Sequence, residues 1–210
     1  MAVSAQKMLR QIFNELKEHT PFTAFGAITG IIIMVIVVFA KAPPGISKTI
    51  FYTLHPAHVI LSATVTAAMY KKYGSGKVWA VILVGYAGSI GISTISDALV
   101  PYLGGTLLNL DIEFEIPFIE EWWLVNPAAL IGITIGYLRP TTKFPHYGHV
   151  LLSTWASLFY FTAFGIAHWI PLLPFIFLFL FLAVWVPCCI SDIVFPLLFT
   201  GKANHHKDST

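Results

Sequence analysis

His55-Pro56-Ala57-His58-Val59-Ile60-Leu61-Ser62 and His146-Tyr147-Gly148-His149-Val150-Leu151-Leu152-Ser153 both read H-x-x-H-V-[IL]-L-S, displaced by 91 residues. Each opens an apolar stretch. Ile95-Ser96-Asp97 with Pro101 and Ile190-Ser191-Asp192 with Pro196 both read I-S-D-x-x-x-P, displaced by 95. Ahead of them, Pro21, Gly26 and Gly30 match Pro127, Gly132 and Gly136, displaced by 106. Three matches in the same order imply a chain built twice from one unit. The fall in displacement from 106 to 91 is a shortening of the second unit's first connection.

What surrounds the repeat is apolar. Hydrophobic residues make up 57% of the chain and charged residues 10%, against roughly 45–50% and about 25% in soluble domains. A chain of this length cannot bury that much apolar surface in one water-facing core, so lipid is the expected solvent. Six stretches approach the ~20 residues a helix needs to cross hydrocarbon: Phe22–Ala40, Ile50–Tyr70, Val78–Val100, Trp122–Leu138, His146–Trp169 and Leu172–Phe199. The fourth is short, and the sixth is long and interrupted by Pro187, where a kink is expected.

The fold class expected is therefore an all-α integral membrane protein with six transmembrane helices. They form two three-helix repeats, residues 21–103 and 122–199, joined by an acidic linker at 104–121. Three spans per unit is odd, so the second unit enters the membrane inverted, a plan common among secondary transporters. Met8, Leu9, Ile12, Phe13 and Leu16 recur at helical spacing among charges, predicting an interfacial amphipathic helix over residues 1–20. The same segment lacks a continuous apolar core, so no cleaved secretory signal is expected ahead of the first span. Residues 200–210 read as a polar tail.

Charge sets the orientation. Lys7, Arg10, Lys17, Lys71, Lys72, Lys77, Arg139, Lys143, Lys202 and Lys207 fall on one side, and only Lys41 and Lys48 on the other. The positive-inside rule then puts both termini in the cytoplasm. The opposite side carries Asp111, Glu113, Glu115, Glu120 and Glu121, followed by Trp122 and Trp123 at the level of an aromatic belt.

Ionisable residues inside apolar spans are costly and point to function. His55, His58 and Asp97 belong to the first unit, and His146, His149 and Asp192 to the second. Histidines three apart share a helical face. Each unit thus offers two imidazoles and one carboxylate, a set that suits a divalent transition metal such as Zn, Fe, Mn, Co or Ni. Ser96 and Ser191, beside the carboxylates, are candidate supporting partners. Cys188 and Cys189 replace Ser93 and Thr94 of the first unit and offer softer ligands. Adjacent cysteines do not suit a disulfide with each other. The spacing leaves open whether the two sets meet at one centre or form two shallow ones. The glycine pairs are expected to serve close helix approach and nothing more.

The leading functional expectation is a secondary transporter of divalent metal ions, with proton coupling through the imidazoles. Alternatives are a membrane-embedded metalloenzyme or redox protein, including a haem protein with His168 facing His55 or His58, and a non-catalytic subunit of a membrane complex. A proton or polar-solute path and plain interhelical hydrogen bonding are further readings of the same residues. His205 and His206 read as part of a solvated tail. The expected partners are the bilayer, a metal ion or proton, and a second copy or larger complex. No Walker loop, nucleophile elbow or H-E-x-x-H signature is present, and nothing points to nucleic acid.

Overall fold

The computed structural model describes residues 2–40, 43–74, 77–139, 143–166, 170–189 and 195–199. It is almost entirely helical. Helix α1 spans Ala2–Phe39, α2 Pro44–Tyr73 and α3 Val78–Thr94. A π turn over Ile95–Leu99 leads without a break into α4, Val100–Leu107. A two-residue strand β1 (Asp111–Ile112) and a short helix α5 (Pro117–Glu120) precede α6 (Trp122–Leu138). Helix α7 (Lys143–Phe164) ends in strand β2 (Gly165–Ile166), and α8 (Leu173–Cys189) and α9 (Phe195–Leu198) follow.

Element boundaries depart from the sequence expectation in five of the six stretches, and three of the departures have a visible cause. The N-terminal amphipathic segment is not separate from the first span: α1 runs through both, with Pro21 inside it. The third apolar helix continues past Val100 to Leu107, because the π turn accommodates Pro101. The fifth ends at Phe164 because the next two residues pair with the linker, Asp111 opposite Ile166 and Ile112 opposite Gly165. Only α6 keeps the expected bounds.

Helices α2 and α7 lie at the centre. Helix α2 packs on α7, α6 and α3, and α7 also packs on α1 and α8. Every residue from Ser62 to Ala68 is buried, as is the run from Ala156 to Phe161. The outer helices turn apolar stripes outward: Ile28, Ile32 and Ile36 on α1, Trp79 and Leu83 on α3, Leu130 and Ile135 on α6, Phe175, Leu178, Leu182 and Val186 on α8. Two stretches, Thr20–Val37 and Val78–Leu107, are long and apolar enough to cross a membrane, and α6 and α8 are apolar but shorter.

The glycine pairs fix how the outer helices meet the central ones. A Cβ at Gly26 would press on Thr154, and one at Gly132 on Ala63, 91 positions earlier. A Cβ at Gly30 would meet Trp155, and one at Gly136 would overlap the carbonyl of Thr64, again 91 positions earlier. Each glycine helix therefore packs on an H-x-x-H helix, α1 on α7 and α6 on α2, in matching register. The α6 contact is the closer one, since Gly132 also rests on the Ile60 carbonyl. The Thr64 hydroxyl donates across it to the Gly132 carbonyl, 3.1 Å away.

Gly136→Ala should therefore destabilise by about 1–3 kcal/mol, the usual cost of overpacking a close contact. Gly45→Ala, where a Cβ meets nothing within 4 Å, should stay within about 0.5 kcal/mol. Thermal unfolding of the two variants in the same detergent compares them directly; equal shifts would refute the close α6–α2 contact.

Candidate metal centre

The I-S-D-x-x-x-P motif determines the local backbone. In a regular helix the N–H of residue 101 would bond to the carbonyl of Asp97, but Pro101 has no N–H and its ring crowds that carbonyl. The chain responds with a π turn, in which the Val100 N–H bonds back to the Ile95 carbonyl. Turns of this kind insert one extra residue into a helix and occur often at functional sites. Here the insertion carries Ser96 and Asp97, both fully buried.

Asp97 collects donors from three helical segments. His55 and His58 of α2 approach Oδ2 through Nδ1 at 2.9 and 2.7 Å. The Ser96 hydroxyl donates to Oδ1 at 2.7 Å. The Ser153 hydroxyl of α7 donates to the same oxygen at 2.7 Å. Four donors match the lone-pair capacity of a carboxylate. Because each Nδ1 faces a carboxylate oxygen, the network assigns the proton to Nδ1 and leaves Nε2 with the lone pair. Those two Nε2 atoms are buried without a hydrogen-bond partner among the described residues. Unsatisfied polar atoms at such depth are rare and ask for an ion, water or ligand.

The two H-x-x-H helices come into contact at this point. The rings of His58 and His149 lie 5.8 Å apart at 15° to one another. Nδ1 of His149 faces the Pro145 carbonyl at 3.2 Å, one turn back along α7. His58 lies well inside α2, whereas His149 stands near the start of α7. A histidine from each set thus stands beside the other.

His55, His58 and Asp97 assemble into a group that could hold a metal ion, with one ligand atom from each lying within 4.8 Å of the others. Ser96 supports the carboxylate as expected. Cys188 is buried against Val150 and Val184, in a cluster of its own. The backbone of His146 lies in α7, but its side chain and that of Cys189 fall outside the described residues. Ser191, Asp192, His168, His205 and His206 fall outside them altogether.

Two functional side chains escaped the sequence reading. Ser153 holds Asp97, and Ser157 donates to the Ser96 carbonyl at 2.8 Å. Ser153 ends the repeated octapeptide, and its retention in both copies was the available signal. Ser62 and Thr66, the equivalents of Ser153 and Ser157 at the same displacement, have buried hydroxyls with no hydrogen bond among the described residues.

One end of the centre is closed by aromatic rings. Phe51 stacks on His55 at 5.5 Å and meets Tyr160 and Phe164 edge-on. Beyond them the acidic linker is strapped down. Tyr160 accepts from the Glu115 N–H and donates to the Glu113 carbonyl. Lys48 pairs with Glu115 at 3.5 Å, and the Tyr52 hydroxyl donates to the same carboxylate. Comparison with protein-family models, curated proteins and solved structures gives no match.

A hydrogen bond to a buried carboxylate is worth roughly 1.5–3 kcal/mol. Ser153→Ala should lower stability by about that amount, while Ser153→Thr, which keeps the hydroxyl, should lower it less. Thr53→Ala, whose exposed hydroxyl bonds only to the Thr49 carbonyl, serves as the neutral reference. Denaturant midpoints of the three variants decide; a Ser153→Ala protein as stable as Thr53→Ala would remove Ser153 from the network.

Proposed function

We infer that this protein is a six-span membrane transporter of divalent transition-metal ions, built as two inverted three-helix units with both termini in the cytoplasm. The observation that carries the reading is the contact between His58 and His149. Intramembrane histidines from two sequence-related units meet beside a buried carboxylate, and inverted-repeat transporters bind substrate at the interface between their halves.

Further support comes from the packing. The apolar stripes on α1, α3, α6 and α8 give lipid a continuous partner. The more polar α2 and α7 lie inside, where intramembrane polar groups are tolerated. The matching register of the glycine contacts is what a pseudo-twofold relation between the units would produce. Asp111, Glu113 and Glu120, exposed on the linker, would concentrate cations at one mouth. Passage from that side requires Phe51, Tyr160 and Phe164 to part and the Lys48–Glu115 strap to release.

Uptake of Zn2+, Mn2+ and Co2+ into proteoliposomes tests this. Wild-type protein should move at least one of the three ions. His58→Ala and Asp97→Asn should reduce uptake to the level of empty liposomes while eluting as monodisperse protein. Normal uptake by both variants would take these residues off the path. Tight binding without uptake would favour a membrane-embedded metalloenzyme, because imidazoles oriented by a carboxylate also serve metal catalysis.

A further inference from the structure

We propose that a hydrogen-bonded file of water runs between α2 and α3, from His58 toward the basic end of the bundle, and exchanges protons with the Asp97 centre from that side. The role of the file rests on the transport reading, in which it carries the coupling proton. Its existence rests only on the packing of the two helices.

Two series of polar side chains define the path. His58, Ser62 and Thr66 follow at intervals of four along α2 and share a helical face. Ser89, Ser93 and Asp97 do the same along α3 and the π turn. All six residues are buried. The two helices pack on each other, and Thr66 faces α3, since a Cβ at Gly88 would stand 2.9 Å from the Thr66 methyl. Helix α2 runs toward Lys71 and Lys72, and α3 runs away from Lys77. Both series therefore leave Asp97 in one direction, toward the lysines and away from the acidic linker.

The hydroxyls on this path behave differently from those elsewhere in the bundle. A Ser or Thr inside a helix can return its hydroxyl to the carbonyl four residues back, as Thr64 and Thr154 do. The hydroxyls of Ser62, Thr66 and Ser93 make no such bond, and with Nε2 of His58 they are buried without a partner among the described residues. Ser89 reaches only the Tyr86 carbonyl, at 3.4 Å. On α7, by contrast, Ser153 and Ser157 are engaged by Asp97 and the Ser96 carbonyl. Buried polar atoms left over in this way are the usual partners of internal water.

The spacing suits water. Four residues of helix rise about 6 Å, too far for hydroxyls one turn apart to bond directly. One water with two hydrogen bonds of about 2.8 Å spans nearly that distance. Hydroxyls both donate and accept, so such a file passes protons without a charged side chain. A divalent ion requires carboxylates, imidazoles or many oxygens, and the three hydroxyls do not supply them. The titratable groups around His58 are Asp97, His55 and, across on α7, His149. At the other end of the centre Phe51, Tyr160 and Phe164 cover His55, so the file gives access from one side. Tyr70, four residues beyond Thr66, borders a surface cleft of about 420 Å³ together with Trp79 and Phe199.

Solid-state NMR of the isotope-labelled full chain in liposomes tests the file through polarisation transferred from water. Side-chain carbons of Ser62, Thr66 and Ser93 should receive it several-fold faster than those of Thr154, whose buried hydroxyl is bound to the Val150 carbonyl. In Thr66→Val, exchange of the His58 imidazole N–H with water should slow by about tenfold, equivalent to about 1.4 kcal/mol. Thr134→Val, which removes an exposed hydroxyl on α6, should leave that exchange unchanged.

Transfer to Ser62, Thr66 and Ser93 as slow as to Thr154 would overturn the file, and this measurement needs no variant. Thr66→Val that exchanges as fast as the wild type would overturn its role as the proton route. Fast transfer in a protein that moves no ion in liposomes overturns transport alone. Slow transfer in a protein that does move ions overturns the file alone.

Discussion

A carboxylate buried inside an apolar bundle is tolerable only if its oxygens are fully occupied, and the arrangement around Asp97 follows from that requirement. Two donors come from α2, one from the residue beside it on the π turn and one from α7. The three segments are consequently fixed to one another at a polar point, within an interior held largely by contacts without direction. Dispersion and the exclusion of apolar surface can be satisfied by several helix registers. A network of four short hydrogen bonds constrains the choice much more narrowly.

The glycine contacts serve the same centre from outside. By lying against Ile60, Ala63 and Thr64, α6 covers one face of α2 without separating α2 from α7. Helix α1 covers α7 in the corresponding register through Thr154, Trp155 and Leu158. Between these covers, small and hydroxyl-bearing residues such as Ser62, Ser153 and Ala156 are buried along the two central helices, which pack on each other.

Much of this was legible in the chain. The histidine spacing and the Asp of the first I-S-D motif named side chains that the fold brings together, because apolar surroundings make each polar residue conspicuous. The sequence could not say which neighbour each glycine would meet, since a small residue advertises closeness without naming a partner. Nor could it distinguish Nδ1 from Nε2, which depends on ring rotations set by Asp97 and Pro145. The depth at which His58 and His149 meet is a property of two helices together. The π turn was encoded in Pro101 but read as a helix end, because a proline signals a missing hydrogen bond without saying how the backbone compensates.

That turn has an effect beyond the site. One residue added to a helix advances everything after it by about 100° around the axis, so α3 and α4 share a direction but differ in phase. Before the insertion, Gly85 and Gly88 face α2, α6 and α9, touching Ala67, Ile133, Thr66 and Phe195. After it, Gly104 faces Phe179 of α8 and Gly105 faces Ile112 of the linker. A single rod thereby serves two sets of neighbours, and Asp97 lies at the step where it changes from one to the other.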